Sequence, residues 1–277
     1  MRQALSTAVV GTRFAPQTFS WKAEDAILYA LGVGAEPEAE LDFLYEGRGP
    51  KVLPTYGVIP GMLALAGLAG AVELDLLRIL HGEQGITCHR PFPPRGTGSV
   101  TGWIEAVWDK GSAAVVVVAA EVADEDGPLC TTRSALFVLG AGGFGGERGP
   151  RAQEVVPERP ADLVHTTATG PAQAALYRLS GDRNPLHIDP AVAAAAGFDR
   201  PFLHGLCTYG IVGRAVLQAV CGGDPARFGG LEGRFAERVY PGDVVTTELW
   251  DLGNGELAVR ARTPAGTVFS HGRARYR

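Results

Sequence analysis

Two stretches of this chain are apolar almost all round, and together they limit what it can fold into. Residues 54–75 read P-T-Y-G-V-I-P-G-M-L-A-L-A-G-L-A-G-A-V-E-L-D, and residues 201–222 form a second apolar run bearing Gly and Ala. A helix without a polar face has to be buried on most sides. Small residues keep such a rod thin, so a sheet can close around it, and Pro60 fits only a first helical turn. Strand-like runs follow each rod: 86–91, 98–108, 113–121 and 129–139, then 230–238, 244–251, 257–263 and 267–276. Turn signals separate them, among them Asp109-Lys110-Gly111, Glu125-Asp126-Gly127, Gly253-Asn254-Gly255 and Pro264-Ala265-Gly266. His204-Gly205-Leu206 stands in the second copy where Tyr56-Gly57-Val58 stands in the first. A buried helix followed by antiparallel strands, twice over, is an α+β fold built by duplication. The expected division is residues 1–145 and 146–277.

Other segments carry weaker signals. A helix is expected within 18–35, capped by Ser20, with Ala26, Ile27, Tyr29, Ala30 and Leu31 on one apolar face and Gly32 and Gly34 ending it. The Gly-rich stretch 140–160 reads as a linker with little reason to pack. With 277 residues, 46% hydrophobic and 20% charged, the chain can bury a large core. Its net charge of −5 argues against a nucleic-acid partner. No membrane span is expected, because Val58–Val72 is interrupted by Pro60 and glycines. The four cysteines, Cys88, Cys130, Cys207 and Cys221, show no C-x-x-C spacing and no pairing with histidine. They read as free thiols in a reducing compartment, and the opening M-R-Q-A-L-S-T lacks a secretory apolar run, so a cytoplasmic location is expected.

The chemistry concentrates between Tyr177 and Gly210. This stretch reads Y-R-L-S-G-D-R-N-P-L-H-I-D-P, a short alanine run, then F-D-R-P-F-L-H-G-L-C-T-Y-G. Pro185 forces Asn184 out of the α region, so the segment is a shaped turn that can aim Asp182 and His187 at one small volume. Such a pair suits acid/base work on a water molecule or an acidic C–H. Held between them, one water could add hydroxide and a proton across a polarised double bond, or be expelled in reverse. An ionised Asp182 favours imidazolium at His187 while burial opposes it, and the sequence leaves that balance open. The reaction needs an electron sink. Gly205 begins the second buried helix, so its N–H has no intrahelical acceptor and can meet a thioester oxygen. Asn184 is expected to orient the site by donating to a backbone carbonyl or to the acid. Asp189 reads as a helix N-cap, and His204 as a structural residue fixing the start of the helix. The first half has no D-x-N-x-x-H and is expected to be catalytically silent.

The string G-D-x-N-P-x-H followed by H-G-L-C-T-Y-G resembles the signature of the (R)-specific enoyl-CoA hydratases, the MaoC-like or hydratase 2 family. W-K-A-E-D-A-I-L-Y-A-L-G-V-G-A, L-D-F-L-Y-E-G, L-P-T-Y-G-V-I-P, L-H-G-E-Q, R-F-A-E-R-V-Y-P-G-D and T-E-L-W are similar to the hydratase portion of peroxisomal multifunctional enzyme type 2. The resemblance covers nearly the whole chain. It implies a double hot-dog fold, each long helix wrapped by a curved antiparallel sheet, and hydration of trans-2-enoyl-CoA to (3R)-3-hydroxyacyl-CoA. It implies no metal and no redox cofactor, coenzyme A being part of the substrate, and a homodimer as the assembly. By position it assigns Asp182 and His187 as the catalytic pair, Asn184 as companion and Gly205 as the thioester-oxygen donor. His81, Gly82, Lys110, Arg183, Pro185, Leu186 and Phe235 fall on substrate-contacting positions. Other readings are the same chemistry run as a 3-hydroxyacyl dehydratase in synthesis on a carrier-protein thioester, a non-catalytic acyl-CoA-binding subunit, and a thioesterase on the same fold.

Overall fold

The computed structural model describes residues 3–75, 78–151 and 153–277. Met1 and Arg2 of the opening segment and Ala152 of the linker lie outside the described residues. Among the described residues, ten strands make one antiparallel sheet. They are β1 (Gln17–Trp21), β2 (Ile79–Cys88), β3 (Gly96–Asp109), β4 (Ala113–Asp124), β5 (Gly127–Leu139), β6 (Leu163–Ala168), β7 (Phe228–Phe235), β8 (Val244–Gly253), β9 (Glu256–Thr263) and β10 (Gly266–Tyr276). The spatial order is β1-β3-β4-β5-β2-β7-β10-β9-β8-β6, so each half of the chain supplies one half of the sheet. The halves meet at β2 and β7, where Glu83 lies opposite Arg234 and Thr87 opposite Gly230.

The helices are α1 (Ala23–Gly32), α2 (Leu41–Leu44), α3 (Val58–Gly61), α4 (Leu63–Ala71), α5 (Gln173–Tyr177), α6 (Pro190–Ala195) and α7 (Gly205–Cys221). α7 is the apolar rod expected from the sequence. Every side chain from Leu206 to Leu217 is buried, and the helix lies against β2, β6, β7, β8 and β10. Its small residues serve close approach. A Cβ on Gly210 would lie 2.4 Å from Val33, and one on Gly213 the same distance from Thr55. Gly222, at φ 61°, ends the helix in the left-handed conformation. The arrangement is a double hot-dog.

The first rod differs from expectation. A 3₁₀ turn (Pro54–Gly57) leads into α3 and then α4, and α4 buries only Ala64 and Leu68. Contrary to the sequence reading, Pro54–Ala71 does reach the length and hydropathy of a membrane span, with half of it buried inside the fold. Residues 18–21 form an edge strand, with the Ser20 hydroxyl 2.9 Å from that of Thr97, so Ser20 caps nothing. α1 is closed instead by the Asp25 carboxylate, which accepts from the Lys22 amide at 2.8 Å.

The first part of the 140–160 stretch, residues 140–149, packs against expectation, while described residues beyond it are largely exposed and irregular, as a linker would be. The amides of Gly143 and Gly145 donate to the Asp109 carboxylate at 2.9 and 2.8 Å, with Gly111 donating from the other side. These backbone donors hold the Asp109 pKa down at about 2. One buried ion pair joins the halves: Arg214 on α7 binds Glu40 and also donates to Thr167, while Gln218 donates to Glu40.

Candidate active site

The turn after α5 is shaped by local chemistry. Gly181 takes φ 144°, which favours glycine. Asn184 sits at φ −53°, ψ 119°, outside the α region, as the following proline requires. Pro185–His187 then form a single 3₁₀ turn. The Asn184 side-chain oxygen accepts from the Leu186 amide, and the Asn184 amide donates to Asp182 Oδ1, both at 3.1 Å. Asn184 was expected to donate through its side chain. It is the backbone N–H that holds the acid, because Pro185 places the next amide where an Asx turn captures the side-chain oxygen. Asp189 caps α6 as expected, accepting from Ala191 at 2.8 Å.

His187 is 9% exposed. Its Nδ1 lies 2.9 Å from the Phe202 carbonyl oxygen. A carbonyl only accepts, so Nδ1 carries the proton and Nε2 is left as an acceptor. Burial pushes the His187 pKa below the ordinary value, and the Phe202 carbonyl and the Asp182 charge oppose it without prevailing. The balance left open by the sequence falls to burial, and the ring is neutral at neutral pH.

Asp182, His187 and His204 each present an atom within 4.8 Å of the other two. The rings of His187 and His204 lie 4.0 Å apart between centroids, at 36°. His204 was read from sequence as structural, yet the fold carries it into the centre of the site. Only the tertiary return of the chain shows this; the sequence signal available was the H-G step at the start of the second rod. Burial first, then the His187 ring, hold the His204 pKa at about 4.

Gly205 opens α7, so its amide is among those without an intrahelical acceptor. A Cβ on Gly205 would lie 3.3 Å from the Phe235 ring. His81 meets that ring edge-on at 5.4 Å. The Asp182 charge also reaches His81, but burial dominates and holds its pKa at about 4. Gly82 sits in a bulge of β2, where a Cβ would strike the Phe137 ring at 2.8 Å. His81, Gly82, Phe235 and Gly205 are thus one neighbourhood beside Asp182. Arg183 and Pro185 are exposed on the turn and Leu186 is half-buried. Lys110 stands apart, in the β3–β4 turn with its ammonium on the Arg148 carbonyl.

The first half reaches the site through side chains. Ile59 lies 3.7 Å from where a Gly181 Cβ would be. Ring contacts run from Phe92 through Tyr56, Tyr29 and Tyr177 to His204. On the other side, the Arg200 guanidinium lies 4.2 Å over Tyr240 and that of Arg238 4.5 Å over Phe198. Among the described residues, Arg178, Arg183, Arg200 and Arg238 pair with no carboxylate. Unpaired cations gathered around one turn of a chain with net charge −5 favour an anionic ligand.

Comparison with known proteins agrees with this geometry. Residues 19–140 match the MFE-2 hydratase 2 N-terminal domain, and residues 152–268 match the MaoC like domain. The enoyl-CoA hydratase ChsH3 of Mycobacterium tuberculosis is 40% identical over 258 residues, covering 90% of both chains. Mouse peroxisomal multifunctional enzyme type 2 is 42% identical over 255 residues, 88% of this chain and 35% of that longer protein. A MaoC-like dehydratase from Phytophthora capsici superposes with a TM-score of 0.89 at 31% identity, covering 99% of this chain and 98% of its own. The chain therefore belongs to the MaoC-like, hydratase 2 family and is a hydro-lyase of enoyl-CoA thioesters.

Proposed function

We propose that this protein hydrates trans-2-enoyl-CoA to (3R)-3-hydroxyacyl-CoA, in the degradative direction, with one water held by Asp182 and His187. The observation that carries this reading is the shared space of the two side chains, with the His187 tautomer set by Phe202. The water donates one hydrogen to the Asp182 carboxylate and the other to His187 Nε2. Its oxygen bonds to C3 as His187 takes the second proton. The C2=C3 electron pair moves toward the thioester carbonyl, whose oxygen accepts from the Gly205 amide. The imidazolium, steadied by the Asp182 charge, then returns the proton to C2. Water is consumed, and both side chains end as they began. Preorganised donors at such an oxyanion are worth roughly 3–4 kcal/mol in the transition state.

The unpaired arginines suit the phosphates of coenzyme A, and the phosphopantetheine phosphate of an acyl carrier as well. That second source keeps one alternative, dehydration of a carrier-bound 3-hydroxyacyl thioester. Loss of enoyl absorbance on crotonyl-CoA and longer enoyl-CoAs, with the product passed to an (R)- or (S)-specific 3-hydroxyacyl dehydrogenase, tests the proposal. (3R) product from CoA substrates is expected. An (S) product, or turnover of carrier-bound substrate alone, contradicts it.

A further inference from the structure

His204 is 1% exposed, and neither ring nitrogen makes a hydrogen bond of good geometry, the Asp182 backbone carbonyl being the polar group nearest to one of them. It occupies the N-cap of α7 but makes no side-chain capping bond. Leaving a buried donor or acceptor unmet costs about 1–3 kcal/mol. Serine, threonine, asparagine or aspartate would serve the helix start better. Helix capping therefore gives no reason for a histidine here.

The place it faces gives one. An atom of the His204 ring lies within 4.8 Å of both the Asp182 carboxylate and the His187 ring nitrogen. The Asp182 carboxylate, when ionised, can only accept hydrogen bonds. His187 Nε2 can only accept as well, because Nδ1 spends its proton on Phe202. A water between these two gives away both its hydrogens and keeps two lone pairs without direction. A neutral imidazole has one N–H to donate, and burial together with the neighbouring His187 keeps His204 neutral. His204 supplies the donor that the Asp182–His187 pair lacks.

We propose that His204 is a third catalytic residue, donating a ring N–H to the nucleophilic water and leaving that water a single lone pair to aim at C3. No proton leaves His204 during the cycle. The Tyr177 ring packs against it, with the two ring centroids 5.1 Å apart. The inference rests on the hydratase reading above and adds a specific contact to it.

The test is steady-state hydration by His204→Phe, His204→Asn and His204→Gln in the full chain. His204→Phe keeps a flat ring and loses the donor. It should lower kcat by about a hundredfold, the scale of removing one positioned donor, with KM within about twofold. Asn and Gln place an amide N–H near the reach of Nδ1 and Nε2, and one of them should restore kcat to within about tenfold of the native enzyme. A purely packing role would make Phe the better replacement and the amides the worse. Should His204→Phe fail to fold, His204→Met fills the volume without a donor, and the same outcomes apply. A donor-free variant with kcat within about twofold of native overturns the proposal. So does loss of activity on chelation with recovery on added zinc, since the three side chains would then be metal ligands. If Asp182→Asn and His187→Gln still hydrate enoyl-CoA at near-native rates, the assignment of these two as the pair that holds the water fails; if they are inactive and His204→Phe is active, only the role of His204 fails.

Discussion

His187 and His204 face each other with ring centroids 4.0 Å apart, although they come from a surface turn and from the start of the central helix. Two imidazoles at that distance do not both carry charge in a buried site. Both are held below their ordinary pKa, burial being the larger cause for each. The histidine side of the site is therefore neutral at rest, the state in which His187 would serve as the base of the proposed reaction near neutral pH.

The first consequence is a pH profile. kcat/KM for hydration should stay constant around neutral pH and fall on the acid side with a midpoint below the ordinary histidine value, as pH drops through the lowered pKa of His187. An acid limb centred at or above the ordinary histidine value would show that burial does not govern the ring.

Stability should follow the same groups. His81 and His204 titrate near 4 in the folded protein and near 6.5 when unfolded. Between these values the unfolded chain binds more protons, so stability rises with pH. It is fully present above about pH 6.5 and is lost as pH falls toward about 4. Thermal melts across that window should show Tm falling on acidification, and His81→Phe should flatten the slope.

Gly205→Ala should separate fold from chemistry. Alanine is favourable inside a helix, and the nearest atoms to the added methyl are those of the Phe235 ring, at 3.3 Å. Tm should stay within a few degrees, while kcat drops at least about tenfold as the thioester oxygen is pushed from the amide. Unchanged kcat would remove Gly205 from the oxyanion site.

Arg200 and Arg238 rest on aromatic faces and have no carboxylate partner among the described residues. Replacing both by Ala should raise KM for enoyl-CoA several-fold, leave kcat nearly unchanged and weaken the salt dependence of kcat/KM. Steady-state assays at low and high salt read this directly.

The Arg214–Glu40 pair is a stability device. Both side chains are almost wholly buried. Arg214→Met strands the Glu40 carboxylate and should cost about 3–5 kcal/mol, whereas the double replacement with apolar residues should recover much of it. Denaturant titration of the single and double variants checks this.

How much of this was legible in the sequence depended on whether the signal was local. The Asp182–His187 turn was readable because Gly181, Asn184 and Pro185 encode its backbone themselves. Hairpin positions were readable for the same reason: Gly253, Asn254 and Gly255 all take positive φ between β8 and β9. β1 was hidden, because Q-T-F-S-W is short and its Ser20 imitates a helix cap. β6 was hidden because an edge strand with exposed Leu163 and Val164 lacks an apolar alternation. The packing of 140–149 was invisible because its contacts with Asp109 are made by backbone amides. That His204 stands beside His187 was not legible, because only the fold brings the two rings together.

The most direct test of the account is hydration of an enoyl-CoA by Asp182→Asn and His187→Gln, measured beside their melting temperatures. Both changes preserve shape and remove the acid or base. The account predicts folded proteins with kcat reduced by more than about a hundredfold. Turnover close to native in either folded variant would contradict it.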